Sequence, residues 1–428
     1  MMFSKKRFVF SFLVLLFSAS YISGQESYKD VKSISISEAD SIFLSKNLFL
    51  LAEKYNVDAV KAQIVQAKLF NNITFNVSQN VYDPDRKLWF NASTKGETAA
   101  SFQRLFLLAG KRNKLVKLAE LSYDKEEQNY FDLIRTLKYS LHSGFFNIYY
   151  LKQTLNLYDK EINSLSKLIM VFEKQFEKGY VSKKELVRLK SFLFSLETES
   201  QGYSIQLISN LSDFNVLLHT SNINYTPLVD ANLLKFVKLD NINLQSLIDT
   251  ATIHRYDLLM AQSDVIINKA NLNYQQALAT PDITLAAGWD RNGSFVHNFN
   301  FISMQIDLPV FNRNQGNIKS AMFNVESSKA KLLGAKERIK ADVNQAYSKV
   351  IETDRLYNKF DDKYVSDLDN LVDEMIKNYE KKNIGIIEFL DYYDAYKTNI
   401  IQINNLKNNR ANAFENLNFA LGKDITNK

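Results

Sequence analysis

Long stretches without proline constrain this sequence more than any other feature. The chain has 428 residues but only 12 glycines and four prolines, at positions 84, 227, 281 and 309. Residues 113–178 contain no proline and a single glycine, Gly144. Because proline breaks helices and glycine weakens them, this segment is predicted to form one helix of roughly 100 Å, at 1.5 Å per residue. So few Gly and Pro residues argue against an all-β protein or a loop-rich enzyme.

Apolar residues in this segment recur at alternating steps of four and three, the spacing of a coiled-coil seam. The seam residues are Leu151, Leu155, Tyr158, Ile162, Leu165, Ile169, Phe172 and Phe176. A second long helix is predicted over residues 318–382, with the seam residues Ile339, Val343, Ala346, Val350, Thr353, Tyr357 and Phe360. Each long helix is followed by a return helix, at residues 182–218 and 386–421, and preceded by a short helix, at residues 37–69 and 244–278.

The pattern changes to alternating apolar and polar residues ahead of the first long helix. Residues 73–78 and 88–93 alternate in this way, and Asp83-Pro84-Asp85 between them is a turn signal. These features predict a β-hairpin within residues 72–108.

A second hairpin is predicted within residues 282–308, where two alternating segments flank Asn292-Gly293. Alternation gives each hairpin one apolar face and one polar face, as strands between lipid and water require. Four strands cannot close a barrel alone, and open strand edges are not tolerated in lipid. This interpretation therefore requires several copies of the chain.

The order helix, hairpin, long helix, return helix occurs twice, which indicates a tandem duplication. The segments FEKGYVSKKELV and YEKKNIGIIEFL, beginning at Phe176 and Tyr379, align and pair Glu185 with Glu388. The predicted repeats cover residues 25–220 and 244–428, joined by a linker at 221–243. A repeat of about two hundred residues is a feature of the architecture rather than a solenoid period.

The N-terminus has the organisation of a signal peptide. Lys5, Lys6 and Arg7 precede an apolar run at residues 8–17, and a cleavage site follows Gly24. These three cations supply half of the formal net charge of +6, so no basic surface for nucleic acid is expected. The chain contains no cysteine, which excludes disulfides, thiolate metal sites and a lipid anchor on cysteine.

On these residues the chain resembles the TolC family of outer-membrane efflux proteins. The strongest signature is LPVFNRNQG at residues 308–316, with QRLFLLAGKR at residues 103–112 as its first-half counterpart. The resemblance implies a mainly α-helical fold with a membrane β-barrel, in which a homotrimer combines four strands per subunit into 12. It also implies an α-helical tube across the periplasm that docks to an inner-membrane pump through a periplasmic adaptor.

The resemblance further implies a periplasmic gate. The family narrows its entrance with acidic residues near the second helical turn, at the positions held here by Glu388 and Asp391. Their i, i+3 spacing puts both carboxylates on one helix face. In a trimer they would form two rings of carboxylates that attract cations. Without the resemblance, both residues would be interpreted as ordinary solvated carboxylates.

Two departures from the family pattern affect the gate. Ile384 stands where some relatives carry a basic residue that ties the closed gate, and Lys381 or Lys382 is the candidate substitute. Lys382 also stands where the family usually has glycine, and Gly385 lies further along.

In the first half, Gly179 keeps the glycine position and Glu185 is the counterpart carboxylate and a possible gate partner. The candidate adaptor contacts at the helix tips are Gly179, Val181, Leu186 and Gly385. The same residues are equally explained as a turn and its packing.

No residue pattern indicates an enzyme, a cofactor or a resident metal. The four histidines are far apart in sequence, and no phosphate loop or nucleophile elbow is present. The sequence leaves three functions open. The first is an outer-membrane export duct for small molecules or metal ions, the second a type I protein secretion duct, and the third an exported coiled-coil structural or adhesin-like protein.

Overall fold

The computed structural model describes residues 30–220, 223–230, 243–293, 295–359 and 362–425. The predicted signal peptide, residues 1–24, lies outside the described residues, as does most of the predicted linker.

The two halves of the chain repeat the same order of elements. The first half contains β1 (Asp30–Ile34), α1 (Ile36–Lys46), α2 (Leu48–Lys68), β2 (Thr74–Gln79), β3 (Tyr82–Asp83), β4 (Leu88–Trp89), β5 (Thr98–Phe106), α3 (Lys111–Glu177), α4 (Lys183–Leu218) and β6 (Ile223–Pro227). The second half contains α5 (Leu244–His254), α6 (Tyr256–Leu278), β7 (Ile283–Asp290), β8 (Phe299–Ile306), α7 (Gln315–Tyr357), α8 (Asp362–Glu380) and α9 (Ile386–Leu421).

The two short helices predicted at residues 37–69 and 244–278 are each broken once, so the prediction of single helices is wrong. The first break is at Asn47, whose side chain caps α2 at Leu50 N and donates to the Leu217 carbonyl at 2.7 Å. The second break is at Arg255, whose own backbone is extended rather than helical. A buried polar side chain satisfies the free backbone groups at the first break, and this tertiary contact outweighs helix propensity.

The prediction of a single second long helix, at residues 318–382, is also wrong. Helix α7 ends at Tyr357, with Asn358 as its C-cap, and α8 begins at Asp362. The seam residue Phe360 lies outside the described residues. Among the helices described here, none combines the length and hydropathy needed to cross a bilayer.

Four of the strands form one antiparallel sheet, in the order β2-β5-β7-β8. Strand β2 pairs with β5, so the predicted partner strand at residues 88–93 is wrong. Leu88 and Trp89 instead form a two-residue ladder with β3 at the end of the loop. Apolar and polar residues do alternate at residues 88–93. The same alternation occurs in a short loop hairpin and in a strand of the main sheet, so the pattern cannot distinguish the two.

The helices pack around three hydrophobic clusters along the length of the molecule. The tip cluster lies between α3, α4, α8 and α9, and the middle cluster joins α1, α3 and α4 to the parallel pair β1 and β6. The third lies between α5, α7 and the end of α9. Of the predicted seam residues, eight are buried: Tyr158, Leu165, Ile169, Phe172, Ile339, Val343, Ala346 and Val350. The heptad pattern therefore identified core positions on α3 and α7.

Candidate functional site

The α3–α4 and α8–α9 turns lie at the same end of the molecule and have the same backbone geometry. Gly179 has φ +76° and Lys382 has φ +60°, so both occupy the left-handed region. Each turn is closed by two hydrogen bonds of the same pattern. These are Gly179 N to Phe176 O, Tyr180 N to Gln175 O, Lys382 N to Tyr379 O and Asn383 N to Asn378 O, all 2.9–3.0 Å. Lys382 thus takes the left-handed conformation that Gly179 has in the first turn, at a steric cost that glycine avoids.

The residues that cap the following helices differ between the two turns. Ser182 caps α4, and the Glu185 carboxylate accepts hydrogen bonds from Ser182 N and Oγ at 3.0 Å. Gly385 is the cap of α9 and offers no side chain. Lys382 and Gly385 therefore align with Gly179 and Ser182, which explains why the glycine lies further along in the second half. The Glu185 carboxylate is engaged within its own turn.

The two turns contact each other through Lys382. Its Nζ donates a hydrogen bond to the Tyr180 carbonyl oxygen at 3.2 Å. Lys381 is exposed beside it. Of the two lysines considered as substitutes for the missing basic residue, Lys382 is the one that joins the two halves of the chain.

Glu388 and Asp391 lie on the exposed face of α9, within its first two turns. The opposite face is buried, with Phe389 fully enclosed and Tyr393 1% exposed. Among the described residues, neither carboxylate forms a salt bridge. The helix therefore fixes both groups side by side and leaves them free to interact with a ligand or another subunit.

The candidate contacts at the tips fall into two classes. Val181 and Leu186 are 7% and 8% exposed and belong to the tip cluster. Gly179 and Gly385 are exposed, and a methyl group added at either would meet no atom within 4 Å. A partner that approaches this surface would therefore reach the two glycines, whereas the valine and the leucine support the turn from within.

A stack of aromatic rings supports the second turn. Tyr379 lies between Phe172 and Phe389, with ring centroids 5.0 and 4.5 Å away and planes within 16° of parallel. Burial raises the pKa of the Tyr379 phenol, and the hydroxyl has no hydrogen-bond partner among the described residues. From the sequence, Tyr379 serves only to align the two halves of the chain. Aromatic residues in a seam do not reveal which rings stack on each other.

Sequence reasoning also missed an ion triad halfway along the helices. The buried imidazole of His142 in α3 lies 2.8 Å from Asp40 of α1 and 2.9 Å from Glu415 of α9. Burial alone lowers the pKa of His142, but the two carboxylates outweigh it and raise the pKa to about 9. The imidazolium therefore donates to both carboxylates and ties three helices together. Residues so distant in sequence give no local signal.

One face of the sheet is apolar, and the other is mainly polar, with Phe299 and Phe301 of β8 as its aromatic exceptions. Phe75, Phe102, Ala287 and Ile302 lie opposite one another across the four strands. The three large side chains of this row are 55%, 59% and 87% exposed. The adjacent row, on the other face, contains Asn76, Ser101, Gly288 and Phe301. An apolar sheet face this exposed needs an apolar environment.

No protein-family model and no curated protein matches the sequence. Solved structures do match it. CusC, which forms a transmembrane channel, superposes with a TM-score of 0.72 at 17% identity and covers 91% of this chain and 92% of its own. The outer membrane protein VceC of Vibrio cholerae gives 0.69 at 15% identity, with 91% and 96% covered. The outer membrane channel CmeC of Campylobacter jejuni gives 0.72 at 13% identity, with 90% and 85% covered. The chain therefore has the fold of TolC-like outer-membrane channels.

Proposed function

We propose that this protein is an outer-membrane export duct that works with a periplasmic adaptor and an inner-membrane pump. The observation that carries the proposal is the exposed apolar face of the four-stranded sheet, on a chain whose fold is that of outer-membrane channels. The face fits the hydrocarbon of a bilayer, and the opposite polar face fits a water-filled lumen. A coiled-coil structural protein or adhesin would have no use for such a face.

The duct would be a homotrimer. Strands β2 and β8 are the edges of the described sheet, and an unpaired edge is not tolerated in lipid. Pairing β8 of one copy with β2 of the next leaves no edge exposed. Three copies would give a barrel of 12 strands, and their helices would continue it as a tube. Signal-peptide cleavage and transfer to the outer membrane belong to the same proposal.

The gate would lie at the helical tips. Glu388 and Asp391, exposed on one face of α9, would form two rings of three carboxylates around the axis and favour cations. Lys382 would hold the two turns of each subunit together, with Lys381 beside it. Glu185 would act indirectly, through the cap that it gives to the first turn.

The adaptor would dock on the same tips, where Gly179 and Gly385 leave the backbone accessible. Val181 and Leu186 would hold the shape of this surface from the tip cluster. The cargo we propose is small molecules or metal ions, and type I secretion of polypeptide uses the same architecture. The pump supplies the energy, so the chain itself needs no catalytic residue.

Single-channel recording in planar bilayers tests this function. The purified protein should form cation-selective pores that divalent or trivalent cations block from the side of the helical tips. The double variant Glu388→Ala/Asp391→Ala should keep the pores and lose selectivity and block. Pores unchanged in the double variant would place the constriction elsewhere, whereas a folded oligomer without pores would refute the export duct.

A further inference from the structure

A cavity of about 260 Å³ lies where the sheet meets the helices. It is formed by the end of α2, the end of β5 and the start of α3, and its polar lining includes Arg104 and Arg112. Leu69, Phe70 and Leu107 form its apolar rim and are 55%, 65% and 38% exposed. The cavity therefore combines two cations with an exposed apolar border.

The two arginines share one aromatic ring. The guanidinium carbon of Arg112 lies 3.8 Å from the centroid of Phe70, and that of Arg104 lies 5.4 Å from the same centroid. Arg104 also lies 5.2 Å from the Phe106 ring. Stacking on a ring orients the guanidinium plane but leaves its N–H donors free for an anion.

Within the described residues, neither Arg104 nor Arg112 forms a salt bridge. The neighbouring cation Lys111 differs, because its Nζ lies 2.7 Å from Asp282. Both arginines are half-buried and approach the same ring, so an anion bound between them would offset the repulsion of the two like charges. An anionic ligand therefore fits the charge of this corner.

The cavity is continuous with the apolar face of the sheet. Arg104 lies opposite Leu285, which in turn lies opposite Met304, and this row follows that of Phe102. Met304 is 63% exposed. A ligand whose phosphate rests on the arginines would therefore have its hydrocarbon part directed along an apolar surface.

We propose that Arg104 and Arg112 bind the phosphate of an anionic glycerophospholipid whose acyl chains lie on the apolar face of the sheet. Guanidinium groups recognise phosphate oxygens with paired, charge-assisted hydrogen bonds. Position supports a lipid as the source of the phosphate, because the cavity lies at the helical end of the face that would contact the bilayer. The inference rests on the proposed membrane insertion and adds a specific lipid to it.

Native mass spectrometry of the full-length protein released from nonionic detergent tests the proposal. We expect retained phosphatidylglycerol, with weaker retention of phosphatidylcholine and no displacement by millimolar inorganic phosphate. Arg104→Gln/Arg112→Gln should reduce phosphatidylglycerol retention at least tenfold. Arg188→Gln, which removes one exposed cation at the helical tips, is the control for charge and should leave retention unchanged.

Two further measurements separate the explanations. Phe70→Leu removes the shared ring but keeps both arginines, so it should retain more lipid than the arginine double variant; equal loss in both would reduce the site to ring stacking and overturn the proposal. Displacement by inorganic phosphate would also overturn it, in favour of a soluble anion. Pore formation is recorded in parallel, so that pores without lipid preference refute only the lipid site, whereas absent pores refute the export duct.

Discussion

Lys382 donates a hydrogen bond from its Nζ to the carbonyl oxygen of Tyr180, 3.2 Å away, and so joins the turns of the two halves of the chain. The residues are about two hundred positions apart and meet because both helical hairpins end at the same level. Lys382 makes this contact from a left-handed backbone conformation, φ +60°, that disfavours lysine. The side chain therefore gives the second turn a link that a glycine at this position would lack.

Lys382→Gln should make the proposed gate easier to open. The change keeps the backbone but removes the charge-bearing donor, and one such bond contributes about 1 kcal/mol, or about fivefold in an open-to-closed ratio. Open probability in single-channel recordings should rise by this factor. Lys381→Gln is the matched control, since Lys381 is exposed in the same turn. An equal rise in both variants would attribute the effect to net charge instead of the link.

Gly385→Ser should weaken cation selectivity although it favours the helix. Gly385 aligns with Ser182, whose hydroxyl and amide hold the Glu185 carboxylate at 3.0 Å. An introduced serine would draw Glu388 into the same capping box and stabilise α9 by a few tenths of a kcal/mol. The reversal potential in a salt gradient should then shift towards that of Glu388→Ala.

Gly385→Ala controls for the side-chain volume of the serine substitution. It introduces no hydroxyl and should leave the reversal potential unchanged. If the alanine variant loses as much selectivity as the serine variant, the engagement of Glu388 in a cap is not the cause.

His142 makes stability depend on alkaline pH. The folded pKa of about 9 lies above the ordinary value of 6.5, so this stabilisation is complete below pH 6.5 and disappears as pH rises through 9. Its size is on the order of 3 kcal/mol. The thermal unfolding midpoint of the wild type should fall by a few degrees between pH 6 and pH 10.

His142→Gln separates this effect from general alkaline destabilisation. The variant should be less stable than wild type at pH 6 and approach it at pH 10, because only the imidazolium is lost. Lys138 also contacts Asp40, at 3.0 Å, and wild type and variant both retain this salt bridge. His297→Gln, in an exposed loop, should follow the wild-type profile. A constant difference between His142→Gln and wild type across the range would contradict the assignment.

Periodicity predicted the parts of this fold that repeat locally. The seam from Tyr158 to Phe172 follows from the heptad alone, because each side chain is placed by its own helix. The breaks at Asn47 and Arg255 could not be predicted in this way, since each is stabilised by groups from distant segments. Strand β5 was missed because its residues 98–101 are Thr-Ala-Ala-Ser, where small side chains hide the alternation.

The candidate site likewise has features that the sequence predicts and features that depend on tertiary structure. The alignment of Glu388 with Glu185 came from sequence, but the difference in their surroundings follows from the residue at the cap. Arg104 and Arg112 lie in the signature segment at residues 103–112, but the sequence does not bring them together, because their relation depends on Phe70, which precedes the hairpin.

Arg255 is a buried cation whose removal should destabilise the helical region. Its side chain is 5% exposed, and its guanidinium contacts Asp257 at 2.5 Å and Asp342 at 3.0 Å. Arg255→Met would remove the buried partner of Asp342, which is 24% exposed and keeps Arg338 at 2.9 Å, so the cost should be about 1.5–3 kcal/mol, that of a charged hydrogen bond. The urea midpoint of unfolding should fall accordingly, with no change in the slope of the transition.

A double-mutant cycle identifies the origin of this cost. Asp342→Leu in the Arg255→Met background removes the carboxylate that has lost its buried partner and keeps only the exposed Arg338, so the double variant should be more stable than the sum of the single losses predicts. Asp257 is 34% exposed and can be hydrated, so it adds little to the penalty once Arg255 is gone. Additive losses would mean that Arg255 stabilises the break between α5 and α6 through packing alone.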